Sequence, residues 1–161
     1  MPGVANLICI IKITVKWVFF VVKFVWNQRY TMAIFTIEHI NHLHEKLGTM
    51  KNFLSYVTAL RLLGVEKYDS YLADGHSRYF GANGYYVESA PVHETLIIAD
   101  DDDKESLLRH LALHEARKTD YLAMSRGLAE SGIEKWTVDT HAATIAYYSQ
   151  KGNPLLIESI V

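Results

Sequence analysis

The chain has 161 residues, 50% of them apolar and 21% charged, with a formal net charge of −2. That length holds one domain with a real core and not two ordinary ones, and the composition is globular rather than disordered. A single cysteine, Cys9, excludes an internal disulfide, a zinc ribbon and a Cys–Cys redox pair, and fits a reducing cytoplasm.

Charge divides the chain. Residues 1–31 hold Lys12, Lys16, Lys23 and Arg29 and no acid; the rest keeps 12 basic groups against 18 acidic ones, a balance of −6. Phosphate backbones repel such a domain, so duplex nucleic acid is not an expected partner. From Val4 to Trp26 the extension is almost continuously apolar. As a membrane span of about 20 residues it is marginal: Lys16 near the bilayer centre costs roughly 2.5 to 3.5 kcal/mol, and each aliphatic residue returns only about 0.3 to 0.6. As a membrane-surface helix it would place Lys12, Lys16 and Lys23 within roughly 40° of one another. No small-residue cleavage site follows Trp26, which speaks against a secretory signal. The preferred expectation is an over-long start, with a single domain over residues 32–161 beginning at Met32; a strand packed on that domain is a further alternative.

Thr36 caps an expected helix to Leu47, with Ile37, Ile40, Leu43 and Leu47 on one face and Gly48 at its end. A second helix spans Asn52 to Leu63, turns Phe53, Val57 and Leu60 inward, and closes at Gly64. Strands are expected at Val65–Ala73, Ser77–Gly81 and Tyr85–Glu88, split by Asp74-Gly75 and Ala82-Asn83-Gly84. Thr95–Ala99 reads as a buried strand. Of the four acids Asp100 to Asp103, one is expected to cap a helix from Lys104 to Arg117; consecutive acids lack the alternation and glycine turn of a Ca²⁺ loop. A helix from Asp120 to Glu130 and strands Ile133–Asp139, Ala143–Tyr148 and Leu155–Ile160 complete the chain, the last two joined by a hairpin turn at Gln150–Asn153.

A shift of 68 residues aligns the two parts of this pattern. His42-Leu43 meets His110-Leu111, Leu60 meets Leu128, Gly64-Val65-Glu66-Lys67-Tyr68 meets Gly132-Ile133-Glu134-Lys135-Trp136, and Tyr79-Phe80 meets Tyr147-Tyr148. The expected fold is therefore α+β, with two similar helix–helix–β-hairpin halves packed around one core with an antiparallel sheet.

Few residues carry recognisable chemistry. His110 and His114 have the i, i+4 spacing that aims two imidazoles at one metal, with Asp74, His76 or His93 as distant third ligands. Leu107 and Leu111 share their stripe, so packed histidines are the simpler reading and no cofactor is expected. Asp74-Gly75-His76-Ser77 offers a general acid/base pair, and also the commonest hairpin turn. Tyrosine and tryptophan concentrate on the expected strands, where they form either cross-strand packing pairs or a pocket with hydroxyls at its rim.

Ala73-Asp74-Gly75-His76, Tyr79-x-Gly81, Lys118-Thr119-Asp120-Tyr121, Gly132-Ile133-Glu134-Lys135-Trp136 and Tyr147-Tyr148 with Gly152-Asn153 resemble, in order and spacing, the YdfO-like family. That is a bacterial and prophage-borne family of unknown function, often labelled "phage envelope protein". The resemblance runs from about Phe35 to Ile160. It implies a compact α+β fold and a start near Met32, and brings no catalytic residues.

The leading expectation is a cytoplasmic, non-enzymatic module binding a small molecule or a protein at the cleft between the halves, lined by Asp74, His76, Tyr79, Trp136 and Tyr147. One alternative is a hydrolase-like enzyme using Asp74, His76 and His114. Another is a protein tethered to a membrane through residues 4–26, the only route to a membrane partner. Assembly into a homo-oligomer is left open.

Overall fold

Two hydrophobic periods alternate along the chain, and the backbone follows them. The computed structural model describes residues 35–160; the readings of the N-terminal extension fall outside the described residues. Helix α1 (Ile37–Leu47) begins in a capping box: the Thr36 hydroxyl accepts from the His39 N–H at 3.4 Å, and His39 Nδ1 accepts from the Thr36 N–H at 3.3 Å. Histidine here does the work usually given to glutamate. Helix α2 (Phe53–Leu63) stops at Gly64, whose φ of 98° is left-handed.

Asp103 caps α3 (Lys104–Glu115) through the Ser106 N–H at 2.9 Å, and Asp120 caps α4 (Tyr121–Glu130) through the Ala123 N–H at 2.7 Å. Helix α3 ends two residues before the expected Arg117. There the chain turns left-handed at Arg117 (φ 57°), and the Lys118 N–H donates back to the Leu113 carbonyl at 2.9 Å.

The strands are β1 (Val65–Tyr71), β2 (Ser77–Gly81), β3 (Tyr86–Glu88), β4 (Ile133–Asp139), β5 (Thr144–Ser149) and β6 (Pro154–Ser159). They form one antiparallel sheet in the order β3-β2-β1-β4-β5-β6. Helices α2 and α4, and strands β1 and β4, β3 and β6, start at positions 68 residues apart. At the central β1–β4 pair Asp69 faces Thr137, its own counterpart at that offset.

The expected strand at Thr95–Ala99 is absent. Its backbone bonds go to loops and helix ends: the Leu96 N–H donates to the Ala73 carbonyl at 2.6 Å and the Ala99 N–H to the Ala129 carbonyl at 3.0 Å. With no strand edge to join, this apolar run is an irregular strap, and Ile97 stands 90% exposed.

Strand alternation sorts the sheet residues onto two faces. Tyr68, Ser70 and Leu72 of the first half, with Val138 and Tyr147 of the second, face the helices. One apolar cluster gathers Ile40, Val57, Leu60 and Val65, and another gathers Leu107, Leu128 and Ile133. Trp136 and Ile145 pack against both. Burying these faces supplies the main drive to fold, about 25 cal/mol per Å² of apolar surface.

Candidate functional site

Between the helices and the sheet lies a cavity of about 910 Å³, within the range of small-molecule sites. Its sheet side is built from Tyr68, Ser70, Ser77 and Tyr79 of the first half and Trp136, Ile145 and Tyr147 of the second. These positions pair across the ladder: Tyr68 with Tyr79, Ser70 with Ser77, Ser70 with Trp136, and Trp136 with Tyr147. Because paired strand residues share a face, one register decision brings all of them to the cavity. Tyr56 of α2, with Tyr121, Met124 and Leu128 of α4, adds the helical side.

The rings hold each other in place. Tyr68 stacks on Tyr79 with centroids 5.1 Å apart, Tyr56 meets Tyr68 edge-on at 6.4 Å, and Tyr121 meets Trp136 edge-on at 6.4 Å. Their hydroxyls interact with one another: Tyr56 Oη lies 3.4 Å from Tyr79 Oη, and Ser77 Oγ donates to Ser70 Oγ at 3.1 Å. Burial pushes the phenols of Tyr56, Tyr68, Tyr79, Tyr121 and Tyr147 up, with neighbouring phenols adding at Tyr56 and Tyr68. All five are neutral at physiological pH. They can donate and accept hydrogen bonds, but they are not bases. The charged residues on the lining, Lys51, Glu115 and Glu158, are all exposed.

Of the expected site residues, Tyr79, Trp136 and Tyr147 meet at this cavity. Asp74 and His76 are not on its lining; they sit in the turn between β1 and β2. Asp74 Oδ1 accepts the His76 N–H at 3.0 Å and lies 2.5 Å from His76 Nδ1. The His76 ring stacks on Tyr71 at 4.5 Å, and its Nε2 is 3.6 Å from Glu88 Oε1, which also accepts from Arg78 at 2.9 Å. Desolvation raises the Asp74 carboxyl, but the His76 backbone and ring hydrogen bonds outweigh it and leave the group below its ordinary value. Gly75, between the two, does reach the cavity; its φ of 77° and the closeness of the Val92 side chain both demand glycine.

His114 lies on the cavity lining and donates through Nδ1 to the Thr119 carbonyl at 3.1 Å. His110 packs against Gly127, where any Cβ would collide with its ring. Among the described residues no group of three or more His, Cys, Asp or Glu is arranged to hold a metal ion. Also among them, no helix is long and apolar enough to cross a membrane.

Sequence reasoning did not select Tyr56, Tyr68, Ser70, Ser77 or Tyr121 for the cavity. A signal for three of them existed: the 68-residue offset sets Tyr68 on Trp136, Ser70 follows Tyr68 on the same face of its strand, and cross-strand pairing then carries Ser77 along with Ser70. On the opposite face it also passed over Asp69, a buried carboxylate that accepts from Lys135 Nζ and from Thr137 Oγ1, each at 2.6 Å.

A family model described as a protein of unknown function (DUF1398) matches residues 41–159, well over half of the chain. A search of the curated proteins finds no match.

Proposed function

The chain belongs to the DUF1398 family of proteins of unknown function, and we propose that it is a non-enzymatic binding module that holds a small molecule in the cavity between its sheet and helices. The observation that carries this reading is the division of the lining: tyrosine, serine and tryptophan inside, every charged group exposed. Small-molecule sites are typically concave, ring-rich and furnished with a few fixed polar groups. Phenols locked in the neutral form bind and orient; they do not abstract protons. The same reading includes a YdfO-like, prophage-borne origin, a cytoplasmic location and descent from a duplicated helix–helix–strand–strand unit, for which the shared 68-residue offset is the support.

The test is a thermal-shift screen of the full chain against uncharged metabolites. A ligand at 100 times its Kd adds about 2.7 kcal/mol, several degrees for a domain of this size. Hits that are lost in Tyr79→Phe or Trp136→Ala support the cavity. A flat screen, with both variants folded, overturns the small-molecule reading and favours a protein partner.

The hydrolase reading retains one observation. The Asp74–His76 contact is the arrangement by which a carboxylate orients a basic imidazole. His114 Nδ1 is engaged with the Thr119 carbonyl, and neither Asp74 nor His76 shares the cavity lining with it. Ester hydrolysis abolished by His76→Ala would revive it; unchanged background rates in that variant would end it.

A further inference from the structure

Three polar groups on the cavity lining have no hydrogen-bond partner among the described residues: the phenol hydroxyls of Tyr68 and Tyr147 and the indole N–H of Trp136. Tyr68 and Tyr147 are only 5% and 6% exposed. None of the three groups is fully enclosed by protein, so each opens onto free volume, and the volume their side chains share is the cavity. They are spread round it, with Tyr68 on β1, Trp136 on the adjacent β4 and Tyr147 on β5. The Tyr56–Tyr79 and Ser77–Ser70 contacts use only part of what those four hydroxyls offer, and the Tyr121 phenol adds another from α4. Hydrogen-bonding groups therefore surround the cavity on both halves of the sheet and on the helices.

We infer, resting on the small-molecule reading above, that the ligand is a neutral sugar or glycoside. Its ring turns C–H faces to the aromatic side chains, and its hydroxyls, set on every side, meet Tyr68, Trp136 and Tyr147. A sugar hydroxyl donates one hydrogen bond and accepts two, so the same molecule can accept from the Trp136 N–H, which only donates, and exchange with either phenol. The electron-rich ring faces favour the weakly positive C–H groups of a sugar. A molecule with one polar group satisfies one of the three free groups and strips water from the others, which are then left unpaired. An ion would trade its hydration for neutral groups, at a net loss. The volume of about 910 Å³ is ample for a sugar ring.

The test is isothermal titration of the full chain at neutral pH with a panel of neutral mono- and disaccharides at millimolar concentration, and with the uronic acid matching the tightest of them. At least one neutral sugar should bind, and its uronic acid at least about tenfold more weakly. Tyr68→Phe and Tyr147→Phe should each lower the sugar affinity about three- to tenfold, the size of one neutral hydrogen bond. Neither hydroxyl has a protein partner to lose, so without sugar both variants should keep the parent's urea midpoint or exceed it. Unchanged affinity in either variant, a midpoint that falls in either, or a uronic acid bound as tightly as its neutral sugar overturns the inference. A panel without a binder, while other uncharged metabolites give hits in the thermal-shift screen, overturns it too and leaves the small-molecule reading standing. If neither the panel nor the screen yields a ligand, both fall.

Discussion

The two faces of the sheet are made from the same strands and obey opposite rules. Toward the helices, Tyr68, Ser70, Ser77 and Tyr79 interact through neutral hydroxyls and rings. Away from them, Asp69, Lys135, Arg78 and Glu88 interact through charge. One residue along a strand separates the two regimes: Asp69 lies between Tyr68 and Ser70, and Arg78 between Ser77 and Tyr79. The difference teaches that charge here serves to hold the sheet, whereas the neutral face is the one with room for a guest. Near solvent an ion pair keeps most of its hydration; inside the cavity it would not.

The largest effect should come from removing the most buried charge. Asp69 is 4% exposed and bonds both Lys135 and Thr137, so Asp69→Ala leaves the Lys135 ammonium without its carboxylate partner. A loss of about 3 kcal/mol in urea unfolding is expected, with ligand affinity at the cavity unchanged within about twofold in the folded fraction. Desolvation works against the charged Lys135, yet the Asp69 hydrogen bond and charge raise its pKa overall. The stability from this raised pKa is therefore complete below the ordinary lysine pKa and disappears as pH rises through the higher folded value. If Asp69→Ala weakens ligand binding more than it weakens the fold, the separation of the faces is wrong.

Gly75 joins the cavity lining to the Asp74–His76 contact that flanks it. Gly75→Ala combines a left-handed φ of 77° with a collision against Val92 and His93. A destabilisation of about 1 to 2 kcal/mol is expected, together with weaker ligand binding, because the Val92 side chain, which also lines the cavity, must move. A thermal melt and one titration check both parts; a loss of stability with no change in affinity would detach Gly75 from the cavity.

How much of this was legible depends on whether the signal was local. Caps and glycine stops are local, so Thr36 and Gly64 marked their helix ends correctly, and one of the four acids, Asp103, is indeed a cap. The Leu96-Ile97-Ile98 run misled because an apolar stretch looks the same whether or not a strand edge awaits it. For the site, Tyr79, Trp136 and Tyr147 were readable as strand aromatics. Asp74 and His76 belong to the turn before β2, where no strand period fixes the direction of a side chain, so the sequence had no local signal for whether they join the cavity. Tyr56 was not readable at all, since which stripe of α2 meets the sheet beside Tyr79 is fixed by tertiary packing.

Asp74→Asn sharpens the comparison on its charged side. Asparagine can still accept the His76 N–H, so the variant removes charge and keeps the turn. Asp74 is 28% exposed, and solvent screening limits the effect to about 1 kcal/mol or less. Since hydrogen bonding holds the folded carboxyl below its ordinary value, the difference between parent and variant should be full near pH 6 and fade as pH falls below about 4. A difference that persists unchanged down to pH 2 would mean the carboxylate charge contributes nothing there.

The smallest expected change lies on the neutral side and has the opposite sign. Ser125 of α4 is fully buried, and its Oγ makes no hydrogen bond of good geometry among the described residues, although the Tyr121 phenol lies close enough to interact with it. A desolvated hydroxyl without a partner is a loss that folding must overcome. Its counterpart at the 68-residue offset is Val57, an apolar residue in the same kind of position between helix and sheet. Ser125→Ala should therefore leave stability unchanged or raise it by up to about 1 kcal/mol, read as an equal or higher urea midpoint. Should the variant instead lose stability, the hydroxyl has a partner in solution, and the neutral face is more tightly bonded than its geometry indicates.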